Sequence, residues 1–476
     1  MGEITEPRRE IPVLDEADVL VAGGGVAGVA AAVAAARAGA KTVLVERMGV
    51  LGGVASAALM TSITNFAFTG DGRLVTRGIL EEVLDKLGER AATTPDWRTR
   101  KLPQWPFDQE VFRHLLVEMV MDAGVETYLE TWVTDVLKEG SLLRGVTTES
   151  KGGRQAILAQ QFVDATGDAD LAAWAGAPVR NTPPDSGSLL FQMRGVDIEA
   201  IVEYFETHPE EWQQYSDRVT PVEDFIANWR ERGVFHLPHW GAQKMSLIRE
   251  AIARGDYARD VGLCQAIDVF GMFAYRSSGA VLINSCNFAI DHLDIRTHSR
   301  AEMEARRLIP YIAEFLVKHF PGFEKAYVSE SAAVTGVRYT RWIDAGFDLT
   351  AQQVADGATF DDVIGVQTAY YRHSRGGVVH PPRSHDVPYR IMLPQGVDNV
   401  VIGSGKSVST DPRGLVRGQA SCYLIGQGAG VACAVAARSG TSARGVSITS
   451  VQEELLKQNV YLGEPDRLAQ LGLASV

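Results

Sequence analysis

Cysteine is scarce: four in 476 residues (Cys264, Cys286, Cys422, Cys433), with no C-x-x-C pair. No Cys/His spacing suggests zinc, and no cysteine motif suggests an iron–sulfur cluster. Cys422 and Cys433 stand 11 positions apart on an expected helix. That is about 16 Å at the helical rise, too far for a disulfide, so reduced thiols in a reducing compartment are expected. Positive charge is also short. The net charge of −13 argues against nonspecific nucleic-acid binding, which needs basic patches to neutralise phosphate. The uncharged run 19–36 is interrupted by a glycine turn and diluted by alanine, so it is not expected to span a membrane. The residues before it include Glu10, Asp15, Glu16 and Asp18, unlike the basic start of a signal peptide. These absences predict a cytoplasmic protein with no membrane association. At 51.6 kDa and 46% hydrophobic, the chain can bury a large core in two or three domains.

What is present is organised around Asp18–Arg47, DVLVAGGGVAGVAAAVAAARAGAKTVLVER. Asp18–Ala22 reads as a strand, followed by Gly23-Gly24-Gly25-Val26-Ala27-Gly28, a match to G-x-G-x-x-G. An Ala-rich helical segment ends at Gly39, Thr42–Val45 reads as a second strand, and Glu46 sits at its tip. In dinucleotide binding each part has a physical job. Gly23 permits the tight turn, Gly25 lets backbone approach a pyrophosphate, and Gly28 allows close helix–sheet packing. Val26 and Ala27 open a helix whose free N–H groups attract phosphate. Glu46 lies 18 residues past Gly28, about where a carboxylate accepts bonds from a ribose. One G-x-G-x-x-G is weak; strand, glycines, helix, strand and terminal acid in that order favour a nucleotide site.

Arg47–Ser56 forms a second glycine-rich turn containing Gly52, Gly53 and Val54. Arg77–Leu87 and Asp108–Ala123 are expected helices, Asp108 being an N-cap, with Trp97–Phe107 a loop between them. Val125–Leu129, Trp132–Leu137, Leu142–Glu149 and Ala156–Phe162 read as short strands, ending in Asp164-Ala165-Thr166-Gly167-Asp168. Residues 180–385 change character and hold most histidines and aromatics. Val397–Gly403 reads as a strand, and Leu415–Arg438 as a small-residue helix resembling the first one. Both helices are Ala/Gly-rich, as expected if each packs close to one sheet.

The motifs GGGVAG, VERMGVLGG, VDATGDADLAAWAG, TGVRYTR and DVPYRIMLPQGVDNVVIGSG, with the closing helix, resemble the FAD-dependent oxidoreductases of the glutathione-reductase-like superfamily. The likeness runs over nearly the whole chain. It implies an α/β fold: a discontinuous Rossmann-like FAD-binding domain (15–60, 108–180 and 386–445), an inserted mixed α+β substrate domain (61–107 and 181–385), and a peripheral C-terminal helix (446–476). By that resemblance Gly23, Gly25 and Gly28 approach the pyrophosphate and Glu46 the ribose. Gly52-Gly53 run along the ribityl and flavin region, with Arg47 and Val54 beside them among the cofactor-binding residues, Val133 meets adenine through its backbone, and Ala165-Thr166-Gly167 close over the nucleotide. Gly403 starts the last strand–loop, and Leu415-Val416 aim the final helix at the flavin. A reduced flavin carries negative charge there, which a helix N-terminus stabilises. Relatives often read Ala-Gly-Arg after the last strand; this chain reads Gly403-Ser404-Gly405-Lys406.

The implied activity is hydride removal from an alcohol, hydroxy acid, amine or glycoside by noncovalent FAD. The alternative is a non-redox or electron-transfer flavoprotein. Arg338 and Arg341 could clamp a carboxylate, or serve in structural salt bridges. His373, His380 and His385 cluster with Tyr389 near an expected domain junction. His380 is the first choice as base, with His373 and Tyr389 behind it, and Asp411 and Arg413 are further candidates to face the flavin. No metal is expected. The electron acceptor is unassigned, and a homo-oligomer stays open.

Overall fold

The structure is a computed structural model that describes residues 4–5, 9–65, 67–69, 71–99, 102–212, 221–239, 242–368 and 383–473. Its first layer begins with β1 (Val13–Ala22), α1 (Val26–Arg37) and β2 (Thr42–Val45). Then come α2 (Ile79–Glu89), α3 (Gln109–Asp122), β3 (Glu126–Tyr128), β4 (Trp132–Glu139), β5 (Leu142–Ser150) and β6 (Gly153–Asp164). Asp108 caps α3 as expected, accepting from the N–H groups of Glu110 and Val111 at 3.0 Å. β1 starts five residues earlier than its apolar run suggests, because the half-exposed Val13–Ala17 stretch still finds a ladder on Ala156–Ala159 of β6.

A second layer holds β7 (Asp185–Arg194), β8 (Val234–Leu237), β9 (Gly271–Tyr275), β10 (Ala280–Ile290), α4 (Ile295–His319) and β11 (Tyr327–Ser331). The chain then returns to the first sheet with β12 (Val400–Ile402) and ends its main core with α5 (Gln419–Arg438). Among the described residues the first sheet runs β3-β2-β1-β6-β5-β4, with β12 also on β6. Its β3, β2, β1, β6 and β12 are mutually parallel, while β4 and β5 form an antiparallel flap. Parallel strands need crossovers, and covering helices leave them apolar on both faces; Val19–Ala22 and Val43–Val45 are buried accordingly. The second sheet, β8-β9-β10-β7-β11, is antiparallel. α4 covers it with Ala301, Ala305, Ile309, Ile312, Phe315 and Leu316.

Two cores result, divided differently from the expected segments. Within 61–107, α2 sends Ile79, Leu80, Val83, Leu84 and Leu87 into the core of the first sheet. Ile343, Leu349, Val354 and Val363 join the same core, so much of the stretch after Val337 packs with the nucleotide-binding half. The expected loop Trp97–Phe107 contains a short strand, Gln104–Pro106, paired with Ser62–Thr64.

The Ala/Gly composition of α1 and α5 has a sharper cause than packing on a common sheet. The two helices lie against each other: a Cβ at Gly426 would collide with the Ala27 carbonyl, and one at Gly430 with the Ala31 carbonyl. Small residues four apart form a groove into which the facing backbone fits. α5 is also long and apolar enough to cross a membrane, yet 94% of its apolar window is buried inside the protein.

Candidate active site

The end of β1 turns into α1 through Gly23, whose φ is +102°. A Cβ there would press on Ala165 O at 2.5 Å, at the end of β6, and one at Gly28 would collide with the Gly23 carbonyl. Gly25 differs. Its φ of −65° is ordinary, and a Cβ would meet nothing within 4 Å. Gly23 and Gly28 thus permit close packing, whereas Gly25 leaves its side of the loop open to a cavity.

The second glycine turn is fastened to the first. Gly52 N–H donates to Gly24 O at 2.8 Å, and Gly53 sits so close that a Cβ would lie 3.0 Å from Gly25 Cα. Glu46 braces the pair from beneath. Its Oε2 accepts from Gly24 N–H at 2.5 Å and its Oε1 from Met48 N–H at 2.8 Å. Burial pushes the Glu46 carboxyl up, and these N–H groups pull it back. A third turn follows β6. Fully buried Asp164 accepts from Thr166 Oγ1 at 2.7 Å and Ala172 N–H at 3.1 Å, holding Ala165–Gly167 in place. Burial first, then nearby Asp170, raises the Asp164 pKa to about 6.

These turns line one end of a cavity of about 1180 Å³. Gly23, Gly25, Val26 and Ala27 form its wall beside Glu46 and Arg47. Gly52, Gly53, Val54, Val133, Ala165, Thr166 and Gly167 continue it. Gly28 stands behind the wall, and Gly403, Leu415 and Val416 are not on it; Val416 is buried, its carbonyl against Gly405. The helix opening at that place is reached instead through Arg417, Gly418 and Gln419. α5 starts at Gln419, whose Nε2 donates to Met60 O at 2.9 Å and Ser62 O at 3.1 Å.

The other end of the cavity is the face of the second sheet. Ser186 and Ser188 of β7, His236 of β8, Phe273 of β9 and Asn284 and Asn287 of β10 look into it, as do His239 and Arg338. Arg338 Nη1 donates to Ser186 Oγ at 2.7 Å and Nη2 to Asn287 Oδ1 at 3.3 Å. Burial, then the charge of Arg417, lowers its pKa to about 10. Burial, then Arg338, holds half-buried His239 down at about 4, so its imidazole is neutral. Lys406 also lines the cavity, its Nζ 3.5 Å from Asp168 Oδ1.

Several sequence candidates are placed elsewhere. Arg341 pairs with Asp170 and donates to Asp168 O at 3.1 Å. Arg413 pairs with fully buried Asp185 and lies over the Tyr339 ring at 4.3 Å, and Asp411 belongs to a short strand beside Thr350. Tyr389 does not reach the cavity: it is buried, and its hydroxyl donates to Ala443 O at 2.8 Å. His385 is buried with its Nε2 3.1 Å from Gln367 Nε2, also off the cavity. His373 and His380 lie outside the described residues. The residues that sequence reasoning missed are Ser186, His239, Asn284, Asn287 and Arg417. The signal for the first four was polar residues interrupting apolar strand runs in 181–290.

A parallel sheet, a glycine-rich strand–helix turn, a second glycine turn locked to it and an open trough beside both define a dinucleotide-binding flavoprotein. The fit to FAD is physical: an empty side on Gly25, a helix N-terminus there, and a second one at Gln419 facing the same cavity. The chain belongs to the FAD-dependent oxidoreductase family, whose model matches residues 18–455; it is an enzyme and its cofactor is FAD. The chain is also similar to a geranylgeranyl bacteriochlorophyll reductase-like protein from Thermoplasma acidophilum. Identity is 15%, covering 97% of this chain and 88% of that one, with a TM-score of 0.47. It is similar to p-nitrophenol 4-monooxygenase from Pseudomonas putida at 12% identity, covering 97% and 93%, TM-score 0.43. A flavoprotein/dehydrogenase from Cytophaga hutchinsonii matches at 14%, covering 97% and 86%, TM-score 0.43. Likeness at this level carries nothing about substrate.

Proposed function

We propose that this enzyme is a dehydrogenase or oxidase that removes a hydride from a small organic substrate, the class being alcohols, hydroxy acids, amines or glycosides. The observation that supports it most is the continuity of one cavity from the glycine turns to the polar face of the second sheet. Bound FAD, held without a covalent link, supplies a two-electron acceptor. Gly25 lets backbone approach it, Gly23, Gly52 and Gly53 pack the turns that present this surface, Glu46 fixes the loop, and the N-terminus of α5 offers positive partial charge at its far end.

In this reading the substrate lies against β7, β9 and β10, its oxygen or carboxylate turned toward Arg338. Ser186 and Asn287 hold that guanidinium in one orientation. Neutral His239 can accept a proton beside Arg338, and His380 is the second candidate for that role. The partner is a small molecule, followed by an electron acceptor of unassigned chemistry. Four buried, unpaired cysteines fit a reducing compartment.

The test is an anaerobic screen of alcohols, hydroxy acids, amines and glycosides for loss of flavin absorbance. Bleaching by one class supports the reading. If substrates turn over with no bleaching at any stage, the FAD is structural or serves electron transfer. Replacing His239 by Gln and His380 by Ala separates the two bases, since general-base catalysis is worth about 10²–10⁴ in rate.

A further inference from the structure

Among the cations lining the cavity, Lys406 has Asp168 beside it, and Arg47 lies over the Trp132 ring at 5.3 Å at the nucleotide end. Asp170, also on the wall, is paired with Arg341. Arg338 and Arg417, at the other end, have no carboxylate partner among the described residues. Arg338 donates only to a hydroxyl and an amide, using one N–H on each Nη. Three of its five N–H groups are then without an acceptor among the described residues. The Arg417 side chain has no hydrogen bond or ion pair there either; its guanidinium lies over the Tyr339 ring at 5.8 Å.

Both guanidiniums line the same cavity, and the charge of Arg417 helps to lower the pKa of Arg338. Arg417 is exposed by area, yet protein surrounds it closely enough for burial to lower its pKa. The two observations agree once its exposed surface is recognised as cavity wall. A protein of net charge −13 has carboxylates in excess, but among the described residues none pairs with these arginines. Two neighbouring cations in a partly enclosed space repel each other and lose hydration, a cost that an incoming anion removes.

The nucleotide's phosphates do not account for the pair. Arg338 follows the short strand Gly336–Val337 on β7, at the second-sheet end of the cavity, whereas the helix N-terminus suited to a pyrophosphate is at Gly25–Val26. We propose that Arg338, assisted by Arg417, forms an anion subsite, and that the substrate carries a carboxylate or phosphate besides the group that is oxidised. Ser186 and Asn287 hold the Arg338 plane so that its remaining N–H groups present a fork to two oxygens. This rests on the reading that the cavity is the substrate site.

The test uses FAD-loaded enzyme and calorimetric titration, which does not depend on flavin reduction. Probe pairs matched in shape are benzoate with benzamide and propionate with propionamide, plus phenyl phosphate to distinguish the two anions. At least one carboxylate or phosphate should bind about 10–100-fold more tightly than its neutral partner, the range expected for hydrogen bonds to a charged group. Arg338→Met should remove that preference with FAD occupancy unchanged, Arg338→Lys should keep part of it, and Arg417→Met should weaken it by a smaller factor. The absence of any charge preference across the pairs overturns the proposal. So does loss of FAD from soluble Arg338→Met, which would assign the arginine to the cofactor. Should Arg338→Met fail to fold, Arg338→Lys and Arg417→Met decide by the same preference. Flavin bleaching by neutral alcohols with no charge preference would keep the dehydrogenase reading and sink this one. Selective anion binding with no bleaching substrate would do the reverse.

Discussion

Glu46→Gln separates bracing of the glycine loop from contact with the nucleotide. The carboxylate uses its two oxygens on two different donors, Gly24 N–H at 2.5 Å and Met48 N–H at 2.8 Å. Glutamine has the same shape but one oxygen and one NH2 group. Whichever way the amide turns, one backbone N–H faces a donor. Glu46 is only 5% exposed, so water cannot readily replace the lost acceptor. A buried donor left unsatisfied costs about 1–3 kcal/mol, equivalent to about 5–150-fold in an equilibrium constant. If Glu46 braces the loop, the FAD-free variant should melt below wild type, and FAD should bind more weakly within that range. Thermal denaturation of both forms and fluorescence titration with FAD read the two effects. Should the FAD-free proteins melt together while FAD binding alone weakens, Glu46 acts on the ribose and not on the loop. Should Glu46→Gln match wild type in both assays, the hydrogen bonds described here carry no weight.

Three further outcomes are expected. Gly25→Leu should fold, since a Cβ there meets nothing within 4 Å, but should purify without flavin because its side chain fills the trough; full flavin occupancy would contradict this. Acid precipitation of the enzyme should release yellow FAD into the supernatant, and flavin retained in the pellet would show a covalent link. Burial holds His385 near 4 against an ordinary 6.5. The unfolded chain therefore takes up a proton that the folded chain refuses, and wild-type stability falls as pH drops from 6.5 toward 4. His385→Gln should lose that part of the slope in melts taken across the window; identical slopes would mean that His385 titrates normally.

The nucleotide half was legible because its signals are local. Gly23 needs positive φ, Gly28 must pass the Gly23 carbonyl, and both demands fall within six consecutive residues. The pairing of α1 with α5 was not legible. Composition announced that each helix packs closely on something, but only the fold sets Gly426 on Ala27 and Gly430 on Ala31 across about 400 positions of sequence. The substrate end was hidden for the same reason. Ser186 comes from β7, Asn284 and Asn287 from β10 and Arg338 from the segment after Gly336–Val337, and they meet only after the second sheet forms. Arg338 and Arg341 looked equivalent in TGVRYTR. Their roles divide because Asp170 pairs with Arg341, whereas among the described residues no carboxylate pairs with Arg338. Periodicity can say that a residue faces inward; it cannot say what stands opposite.

The two ends of the cavity are held by different kinds of contact, and that difference has a consequence for specificity. At the nucleotide end the wall is mostly backbone. Gly52 N–H reaches Gly24 O, Gly53 abuts Gly25, and Asp164 ties down the third turn. At Gly23, Gly28 and Gly53 an added methyl group would meet main chain and not a movable side chain, so these positions tolerate little substitution. At the other end the wall is side chains on a regular antiparallel sheet. Ser186, Asn284 and Asn287 can change without altering the ladder that carries them, since hydrogen bonds between strands do not depend on side-chain identity. Substitutions at the second sheet should therefore shift which substrate is held while leaving FAD bound. Substitutions in the glycine turns should cost the cofactor whatever the substrate.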